Sequence, residues 1–544
     1  MATSPDNAAI ADRLEAFAVL LDLAGAGTYS VRAYRRAADI IRSTPVPVAD
    51  LVRTGEVRRL RGIGASIEAR LRELVETGDI AEVAELERET APELVGFGRL
   101  AGIGPKRMAD IGRALSVTTL EELREAAEQG RLAEAPGVGP HTERRLRGAL
   151  SGPGERRPPR SLLLTRAWDL LGPIAKALGG EAAGDPRRWR DECERLAVVC
   201  AAERPAELLD RFAGLPQIVA VVEREERRAL GVTVEGVPVE LVVAPPEQFG
   251  TALVRATGSD AFVQALGPLP DAPDEAGVFQ ELGVPWRPPE LREDGSREEP
   301  PGGLVALDDV RGDLHCHTTW SDGRASVLEM GQAARDLGYE YLAICDHTRA
   351  VRVVPGVDAD DLRRQAEEIA RAHEELAPFR VLRGAECDIL PDGALDLPDD
   401  VLAELDWVQV SLHAGQRATR DALTGRVVEA MRHPAARCLS HPTGRLINRR
   451  PPNALELELV LEVALETGVA LEVNGLPDRL DLRDEHVRLA VEAGVPIVCS
   501  TDAHSVRGLG NMQLSVATAR RGAARAADVL NTRPLEAVLA RRGS

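Results

Sequence analysis

The chain has 544 residues, 44% of them apolar, so it is too long for one core, and its length predicts about three or four domains. Its net charge of −20 excludes a uniformly basic nucleic-acid surface, although a few arginines and backbone amides can still bind phosphate locally. No apolar run approaches the roughly 20 residues that cross a bilayer, and Asp6 and Asp12 stand where a signal peptide carries positive charge, so we expect a cytoplasmic protein without membrane contact.

The first 150 residues show the apolar spacing of helices and contain an internal repeat. The segments "LRGIGASIEARL", "LAGIGPKRMADI" and "APGVGPHTERRL" each have a glycine-apolar-glycine turn followed by an amphipathic helix. Glycine permits a tight turn, and the free N–H groups that begin the next helix favour an anion. These turns resemble the helix-hairpin-helix motif, which grips DNA backbone phosphates without reading sequence.

The resemblance predicts two domains, a helical one over 1–88 with the first hairpin and a fingers-like one over 89–153 with the other two. A single glycine pair is as often a helix cap without a ligand, but three copies with one spacing favour DNA binding. The predicted DNA-binding residues are Gly62, Gly64, Gly102, Gly104, Gly137 and Gly139.

Two stretches rich in Pro, Gly and charge, 151–160 and 285–303, are predicted linkers or boundary loops. Between them the pattern is mixed, with strand-like runs "RLAVVCA" and "VTVEGVPVELVVA", which predicts a small α+β domain over 160–300. After them, over 308–544, seven strand-like runs alternate with helices, and each run ends in a polar residue. This arrangement predicts a parallel βα barrel, whose functional residues gather at the carboxyl ends of the strands.

The barrel strands supply a candidate metal site. His315 and His317 lie two apart on one strand and point to the same face, and Asp502 and His504 repeat this spacing at the last strand. One zinc takes about four ligands, so nine imidazoles and carboxylates predict two or three divalent ions, Zn²⁺, Mn²⁺ or Fe²⁺. The candidate ligands are His315, His317, Asp322, His347, Glu386, His413, His441, Asp502 and His504.

In this order, "DLHCHTTWSDG", "CDHT", "GAECDI", "SLH", "HPTGR" and "STDAH" resemble the PHP (polymerase and histidinol phosphatase) domain. The resemblance implies a distorted seven-stranded barrel and a trinuclear site that hydrolyses phosphate esters. It assigns catalytic roles to His315, His413 and Asp502. Arg445 would hold a non-bridging phosphoryl oxygen, since a guanidinium matches phosphate, and the alternative for Arg445 is a surface salt bridge.

Nearly the whole chain resembles a bacterial family X DNA polymerase with a C-terminal PHP domain, which implies that the middle is a nucleotidyltransferase-like palm. The middle departs from that family, because Arg195 and Ala197 stand at two of its three metal-binding aspartate positions. Glu240 offers the third carboxylate, and the phosphate-gripping pair Arg187 and Arg188 is retained. The polymerase site is therefore predicted to be vestigial, and the segment expected to form the thumb is short.

The expected function is that of a metal-dependent DNA phosphoesterase, a 3′-5′ exonuclease or 3′-end processing enzyme in DNA repair, with DNA held through backbone contacts. Three alternatives stay open: an active repair polymerase with a PHP exonuclease, a non-enzymatic DNA-binding scaffold, and a small-molecule phosphatase. The sequence does not predict the oligomeric state.

Overall fold

The computed structural model describes residues 6–23, 28–42, 44, 46–60, 62–150, 161–215, 217–233, 236–296, 299–352 and 354–540. The chain forms two compact units. The first unit comprises Met1–Pro186, Cys193–Thr257 and Pro268–Leu282, and the second comprises Arg187–Glu192, Gly258–Gly267 and Gly283–Ser544. The predicted linker 151–160 lies outside the described residues. The four predicted domains are a finer division than these two units and stay a prediction.

The part of the first unit before residue 151 is helical in its described residues, as the sequence predicts. Ile67, Leu71 and Leu74 recur at the helical period and are buried, and Gly78 ends their helix in the left-handed conformation. Two separate apolar cores form, one from residues between 10 and 83 and one built mainly from residues between 94 and 146. The helices are α1 Asn7–Leu23, α2 Thr28–Arg42, α3 Val48–Arg53, α4 Ala65–Thr77, α5 Ala81–Thr90, α6 Pro92–Leu100, α7 Pro105–Leu115, α8 Leu120–Glu128 and α9 Pro140–Leu150.

The middle of the chain contains a five-stranded sheet with helices against it. Its elements are β1 Leu162–Leu163, α10 Leu164–Leu178, β2 Glu181–Gly184, β3 Glu192–Cys193, β4 Leu196–Ala201, α11 Ala206–Ala213, β5 Ile218–Arg224, β6 Arg228–Thr233, β7 Pro238–Ala244, α12 Phe249–Thr257, α13 Asp260–Leu266 and α14 Glu275–Leu282. The strand order is β2-β4-β7-β6-β5. β4 and β7 are parallel and place Ala197 opposite Glu240.

The second unit contains the predicted seven-stranded parallel barrel. Its elements are β8 Gly312–Cys316, α15 Val327–Asp336, β9 Tyr341–Ile344, α16 Ala359–Leu376, β10 Arg380–Asp388, α17 Asp399–Leu402, β11 Trp407–Ser411, α18 Arg420–Met431, β12 Cys438–Leu439, α19 Leu457–Thr467, β13 Ala470–Asn474, α20 Asp484–Ala493, β14 Ile497–Ser500, α21 Met512–Arg521 and α22 Leu535–Leu539. The strands follow one another in chain order. The N–H of His317 donates to the carbonyl of Ala503 at 2.8 Å, so the ends of β8 and β14 meet and the barrel is nearly closed.

The segment 285–303 differs from the predicted linker, because much of what is described of it is packed within the second unit. Arg292 is fully buried and donates to the carbonyl of Arg287 at 2.9 Å. Glu290 is also buried and accepts from Arg520 at 2.7 Å. The charges that suggested a solvated linker are therefore partners in buried contacts.

Within the described parts of the chain, no helix is both long enough and apolar enough to cross a membrane.

Candidate metal centre

All nine predicted ligands gather at the carboxyl end of the barrel, because the parallel strands all point the same way. The donor atoms of eight of them form three overlapping groups, each within 4.8 Å, that could hold a metal ion. His317 and His347 each belong to two groups, so neighbouring groups share ligands, as a multinuclear site requires. The groups are His317, Asp322, His347 and His504; His315, His317 and Asp502; and His347, Glu386 and His413.

Glu386 lies at the centre of the cluster, and its side chain is fully buried. Its Oε1 lies 2.9 Å from Nε2 of His441, which brings the ninth predicted ligand to the cluster although it belongs to none of the three groups. Its Oε2 lies 2.8 Å from Nδ1 of His347. On the other side, Nε2 of His317 lies 3.2 Å from Nε2 of His315 and 3.0 Å from Oδ1 of Asp502.

Several buried donor atoms of the cluster have no hydrogen-bond partner among the described residues. Oε2 of Glu386 and Nδ1 of His347 approach each other without hydrogen-bond geometry, and both are unsatisfied. An unpaired buried polar atom is costly, so a group of them signals a missing partner. Imidazole nitrogens and carboxylate oxygens are the ligands that Zn²⁺, Mn²⁺ and Fe²⁺ accept, so the cluster fits divalent cations.

At two of the clustered ligands, Asp322 and His317, the electrostatics favour an ionised carboxylate and a neutral imidazole, whereas the neighbouring carboxylates raise the pKa of His504 to about 9. Burial raises the pKa of Asp322, but the hydrogen bond and charge of His504 outweigh it and lower the pKa to about 2. Burial and the neighbouring His504 and His347 lower the pKa of His317 to about 3. At neutral pH Asp322 is therefore an anion and His317 is neutral, which are the protonation states that bind metal.

Two of the clustered residues have strained backbones. His441 has φ 25° and Asp502 has φ 52°, both in the left-handed region that residues with a side chain rarely occupy. Such strain persists only where the surroundings hold it, and it concentrates at functional sites. The surroundings here include Asn474, whose side-chain amide donates to Oδ2 of Asp502 at 3.0 Å.

The sequence analysis missed Glu472, a fully buried carboxylate on β13 behind the ligands. Its Oε1 lies 2.6 Å from Nδ1 of His315, and its Oε2 accepts from the backbone N–H of His441 at 2.6 Å. A carboxylate on the far nitrogen of a ligating histidine fixes its tautomer and orientation. Asp388 has a similar place, 3.1 Å from Nδ1 of His413. The available signal for Glu472 was a single acidic residue inside the otherwise apolar strand "VALEVNG".

Arg445 is 5% exposed, so its alternative interpretation as a surface salt bridge does not fit. Its Nη1 donates to Oδ2 of Asp191 at 2.6 Å, and its Nη2 donates to the carbonyl of Leu480. Asp191 belongs to the segment Arg187–Glu192, which is part of the second unit. The Nε–H of Arg445 is buried and has no hydrogen-bond partner among the described residues.

At the predicted polymerase site, Ala197 is buried in apolar surroundings and Glu240 is paired. Ala197 lies in an apolar cluster with Leu253 of α12, and Arg195 is exposed. Glu240 is bound to Arg228 of the neighbouring strand.

The retained arginine Arg188 and the nearby Asp185 also have hydrogen-bond partners within the protein. Arg188 is buried and donates through Nε to Oε1 of Glu293 at 2.9 Å. Oδ2 of Asp185 accepts from the backbone N–H groups of Glu194 and Arg195 at 2.7 and 2.8 Å. Arg187 is half-buried in the second unit. Arg188, one of the two arginines expected to grip a nucleotide phosphate, thus already has a protein partner.

Each hairpin contains one glycine that turns the chain and a second, open glycine, where a side chain would meet no neighbouring atom. Gly102 turns the chain with φ 68°, while Gly104 precedes α7 with φ −61° and has open space where a side chain would stand. Gly62 and Gly137 likewise have positive φ, and Gly64 and Gly139 likewise face open space. An open glycine at a helix N-terminus lets a phosphate approach the backbone N–H groups.

The second and third hairpins stabilise each other reciprocally. Arg145 of α9 donates to the carbonyls of Ala101 and Gly102, the first at 2.8 Å. Arg107 of α7 donates to the carbonyl of Gly137. These two hairpins therefore form a pair, whereas Gly62 and Gly64 belong to the segment beside the first apolar core.

Family models match three parts of the chain. A helix-hairpin-helix domain matches residues 5–80, and a SAM-like helix-hairpin-helix tandem matches residues 97–151, which include the reciprocal pair. The PHP domain matches residues 313–442, which include seven of the nine clustered ligands.

Relatives with similar sequences include one that spans the chain and others that match about a third of it. The DNA polymerase/3′-5′ exonuclease PolX of Bacillus subtilis is 33% identical over 557 residues, which cover 96% of this chain and 97% of that protein. A probable phosphatase of Acetivibrio thermocellus is 30% identical over 35% of this chain and 78% of its own length. A probable phosphatase of Aliivibrio fischeri is 27% identical over 37% of this chain and 80% of its own.

Proposed function

This chain belongs to the family of the bacterial DNA polymerase/3′-5′ exonuclease PolX, and from this premise we propose that it hydrolyses DNA at 3′ ends through its PHP domain. The PHP domain with its histidine-carboxylate centre makes the protein a metal-dependent hydrolase. The observation that carries the proposal is the gathering of all nine predicted ligands at one end of the barrel. The hairpins support DNA as the substrate.

The nine clustered residues would hold two or three divalent ions. Bound there, the ions would lower the pKa of water and neutralise charge on the phosphoryl oxygens. The protein's own groups orient this chemistry, since Glu472 holds His315 and Asp388 holds His413. Arg445 would donate its unpaired Nε–H to a non-bridging oxygen, kept in place by Asp191.

We further propose that the palm does not catalyse polymerisation. Two aspartate positions hold Arg195 and Ala197, and the third carboxylate, Glu240, is neutralised by Arg228. Asp191, the nearest replacement carboxylate, is bound to Arg445. The two-metal scheme of polymerases therefore lacks its ligands.

A second candidate function is hydrolysis of small phosphate monoesters. The relatives described as probable phosphatases favour it, because they match about a third of the chain without spanning the rest. It leaves the three hairpins without a role.

The test uses a gapped duplex with a 5′-labelled primer and Mn²⁺, with and without dNTPs. The wild type should shorten the primer, and the double variant His315→Ala/His317→Ala should not. His373→Ala/His433→Ala is the matched control, since it removes two barrel histidines that lie outside the cluster. The control should shorten the primer like the wild type.

Each alternative predicts a different result. Lengthening that requires dNTPs, survives His315→Ala/His317→Ala and disappears in Glu240→Gln would establish a polymerase. Hydrolysis of p-nitrophenyl phosphate without activity on any DNA end would establish the small-molecule phosphatase. A lower melting temperature of the double variant, with no hydrolysis by any form, would support the non-enzymatic DNA-binding scaffold.

A further inference from the structure

Arginines are concentrated at the end of the barrel where the metal centre lies. Of the seven loops that follow the strands, six contain at least one arginine, and only the loop after β10 has none. Of the six loops that run from a helix into the next strand, only 432–437 before β12 contains arginine. The loops at this end are also longer, so the number of arginines matters less than how they are paired.

Four of these arginines are exposed and have no ion-pair partner among the described residues. We call them the mouth arginines: Arg324, Arg352, Arg417 and Arg507. Other arginines of the same loops are engaged, for example Arg349 with Asp358 at 2.8 Å and Arg449 with Asp478 at 3.5 Å. The mouth arginines therefore carry uncompensated positive charge on a chain whose net charge is −20.

The four residues come from separate loops that surround the centre. Arg507, Arg324 and Arg352 follow β14, β8 and β9, which are neighbours in the nearly closed barrel, and Arg417 follows β11. Arg324 and Arg507 line one depression of about 680 Å³ together with Ser505, the residue after the ligand His504. Carboxylates line this depression as well, among them Asp336 and Glu375, so its arginine end is the part suited to an anion.

A small phosphate ester offers one anionic group, which the centre itself would hold. Arginines on separate loops around that centre can all contact one ligand only if the ligand has several phosphates in a row. Because the chain repels polyanions as a whole, capture of DNA at the barrel requires such a local concentration of positive charge.

We propose that the mouth arginines bind backbone phosphates of the DNA strand on either side of the bond to be cleaved. The inference rests on the proposed function and deepens it. It makes the barrel itself, and not the glycine hairpins alone, a DNA-binding surface. Its contacts are to phosphates, so they add affinity without sequence preference.

The experiment compares the full-length quadruple variant Arg324→Ala/Arg352→Ala/Arg417→Ala/Arg507→Ala with the wild type in Mn²⁺. Two substrates are used, a 20-nucleotide single-stranded DNA and bis(p-nitrophenyl) phosphate, a diester without neighbouring phosphates. The matched control removes four positive charges elsewhere on the barrel. It is Arg335→Ala/Arg371→Ala/Arg380→Ala/Arg432→Ala, whose arginines have no ion-pair partner among the described residues.

In the mouth variant, the ratio of kcat/KM for DNA to kcat/KM for the diester should fall about tenfold or more at low salt. The slope of log kcat/KM for DNA against log salt concentration should become shallower by about 0.7 for each phosphate that an arginine no longer neutralises. The control should keep both the ratio and the slope of the wild type. An unchanged ratio and slope in the mouth variant, or an equal fall in both variants, would overturn the inference.

Failure of the proposed function gives a different result. In that case the wild type cleaves no DNA, and fluorescence anisotropy of the same labelled oligonucleotide replaces the kinetic measurement. A salt slope of binding that is shallower in the mouth variant, but not in the control, supports the inference without the activity. Identical slopes in all three proteins overturn it.

Discussion

Glu472 shows how much of the metal centre depends on a residue that binds no metal. It holds both His315 and the backbone of His441, so one carboxylate orients two parts of the cluster. Burial raises its pKa, but the charge and hydrogen bond of His315 outweigh this, so the pKa of Glu472 lies below its ordinary value. It therefore stays an anion that can accept a hydrogen bond from the Nδ1–H of His315. This hydrogen bond leaves Nε2 of His315 free to bind a metal.

We expect Glu472→Gln to weaken metal binding by about tenfold to a hundredfold, as loss of an outer-shell carboxylate does elsewhere. The measurement is calorimetric titration of the metal-free protein with Mn²⁺. Glu462→Gln is the control, because Glu462 is exposed on α19 and should bind Mn²⁺ like the wild type. Equal affinities for Glu472→Gln and the control would contradict the role assigned to Glu472.

Asp191 is the second residue whose role depends on a distant partner. Burial raises its pKa, but the guanidinium of Arg445 outweighs burial and brings the pKa below its ordinary value. A carboxyl with a lowered folded pKa contributes stability above its unfolded pKa and loses that contribution as the pH falls. The contribution should be complete above about pH 4 and shrink below it, since the unfolded pKa is about 3.9.

Asp191→Asn should lower the free energy of unfolding by about 3 kcal/mol at pH 7, because it leaves Arg445 buried beside a neutral group. The difference from the wild type should persist to about pH 4 and then narrow as Asp191 of the wild type is protonated. Urea unfolding over this pH range measures it. The exposed pair of Asp210 and Arg224 provides the control, since Asp210→Asn should cost about 0.5 kcal/mol or less. A difference that grows below pH 4 would contradict the assignment.

At the residue scale, the candidate metal ligands can be predicted from the sequence, but the residues that hydrogen-bond to them cannot. The spacing of His315 and His317 predicts a shared site from local geometry alone. The contact between His315 and Glu472 spans 157 positions, and the contact between Asp191 and Arg445 spans 254. No period or motif connects positions so far apart, so both contacts needed the fold.

At the element scale, the two glycines of each hairpin differ in backbone conformation and in the space around them. Gly102 has φ 68°, and a Cβ there would collide with the guanidinium of Arg145, which caps the turn. Gly104 has a conformation that any residue adopts, and nothing stands within 4 Å of its missing side chain. The fold requires the first glycine, whereas it places no such demand on the second, where a side chain would meet no neighbouring atom.

Gly102→Ala should therefore destabilise the protein by about 1 to 2 kcal/mol. Gly104→Ala should change stability by about 0.5 kcal/mol or less. It should nevertheless weaken DNA binding by about fivefold, because the methyl group blocks the approach of phosphate to the helix N-terminus. Thermal unfolding and fluorescence anisotropy with a duplex measure the two effects. Unchanged DNA affinity in Gly104→Ala would assign this hairpin a purely structural role.

The strands of the barrel were predictable as elements, because each is a short apolar run that ends in a polar residue. The segment 285–303 was not, since its prolines and charges are those of a solvated linker. Its Arg292 and Glu290 are buried instead, with partners that lie elsewhere in the fold. Composition predicts solvation only where charged groups lack partners, and partners are a property of the folded chain.

At the scale of the whole molecule, the barrel unit includes two stretches from the middle of the sequence, Arg187–Glu192 and Gly258–Gly267. A fragment that begins at Gly283 lacks Asp191 and leaves Arg445 as a buried unpaired charge. Removing one partner of a buried ion pair typically costs about 3 to 5 kcal/mol, whereas an apolar replacement of the charge relieves that cost.

Arg445→Met should therefore raise the melting temperature of the fragment Gly283–Ser544 and lower that of the full-length protein, where it leaves Asp191 unpaired. Scanning calorimetry of the four proteins tests this reversal of sign. A substitution that lowers the melting temperature in both contexts would mean that Arg445 stabilises the barrel independently of Asp191.

The placement of Arg187–Glu192 in the barrel unit also limits which parts of the gene can be lost. If polymerisation were no longer selected, Arg187–Glu192 and Gly258–Gly267 would still be under the selection that acts on the barrel. A single deletion of the middle of the gene would remove both stretches from the barrel unit, so this region could shorten only around them. The metal centre would then stay preceded by a long stretch of chain, because two parts of that stretch belong to the barrel unit.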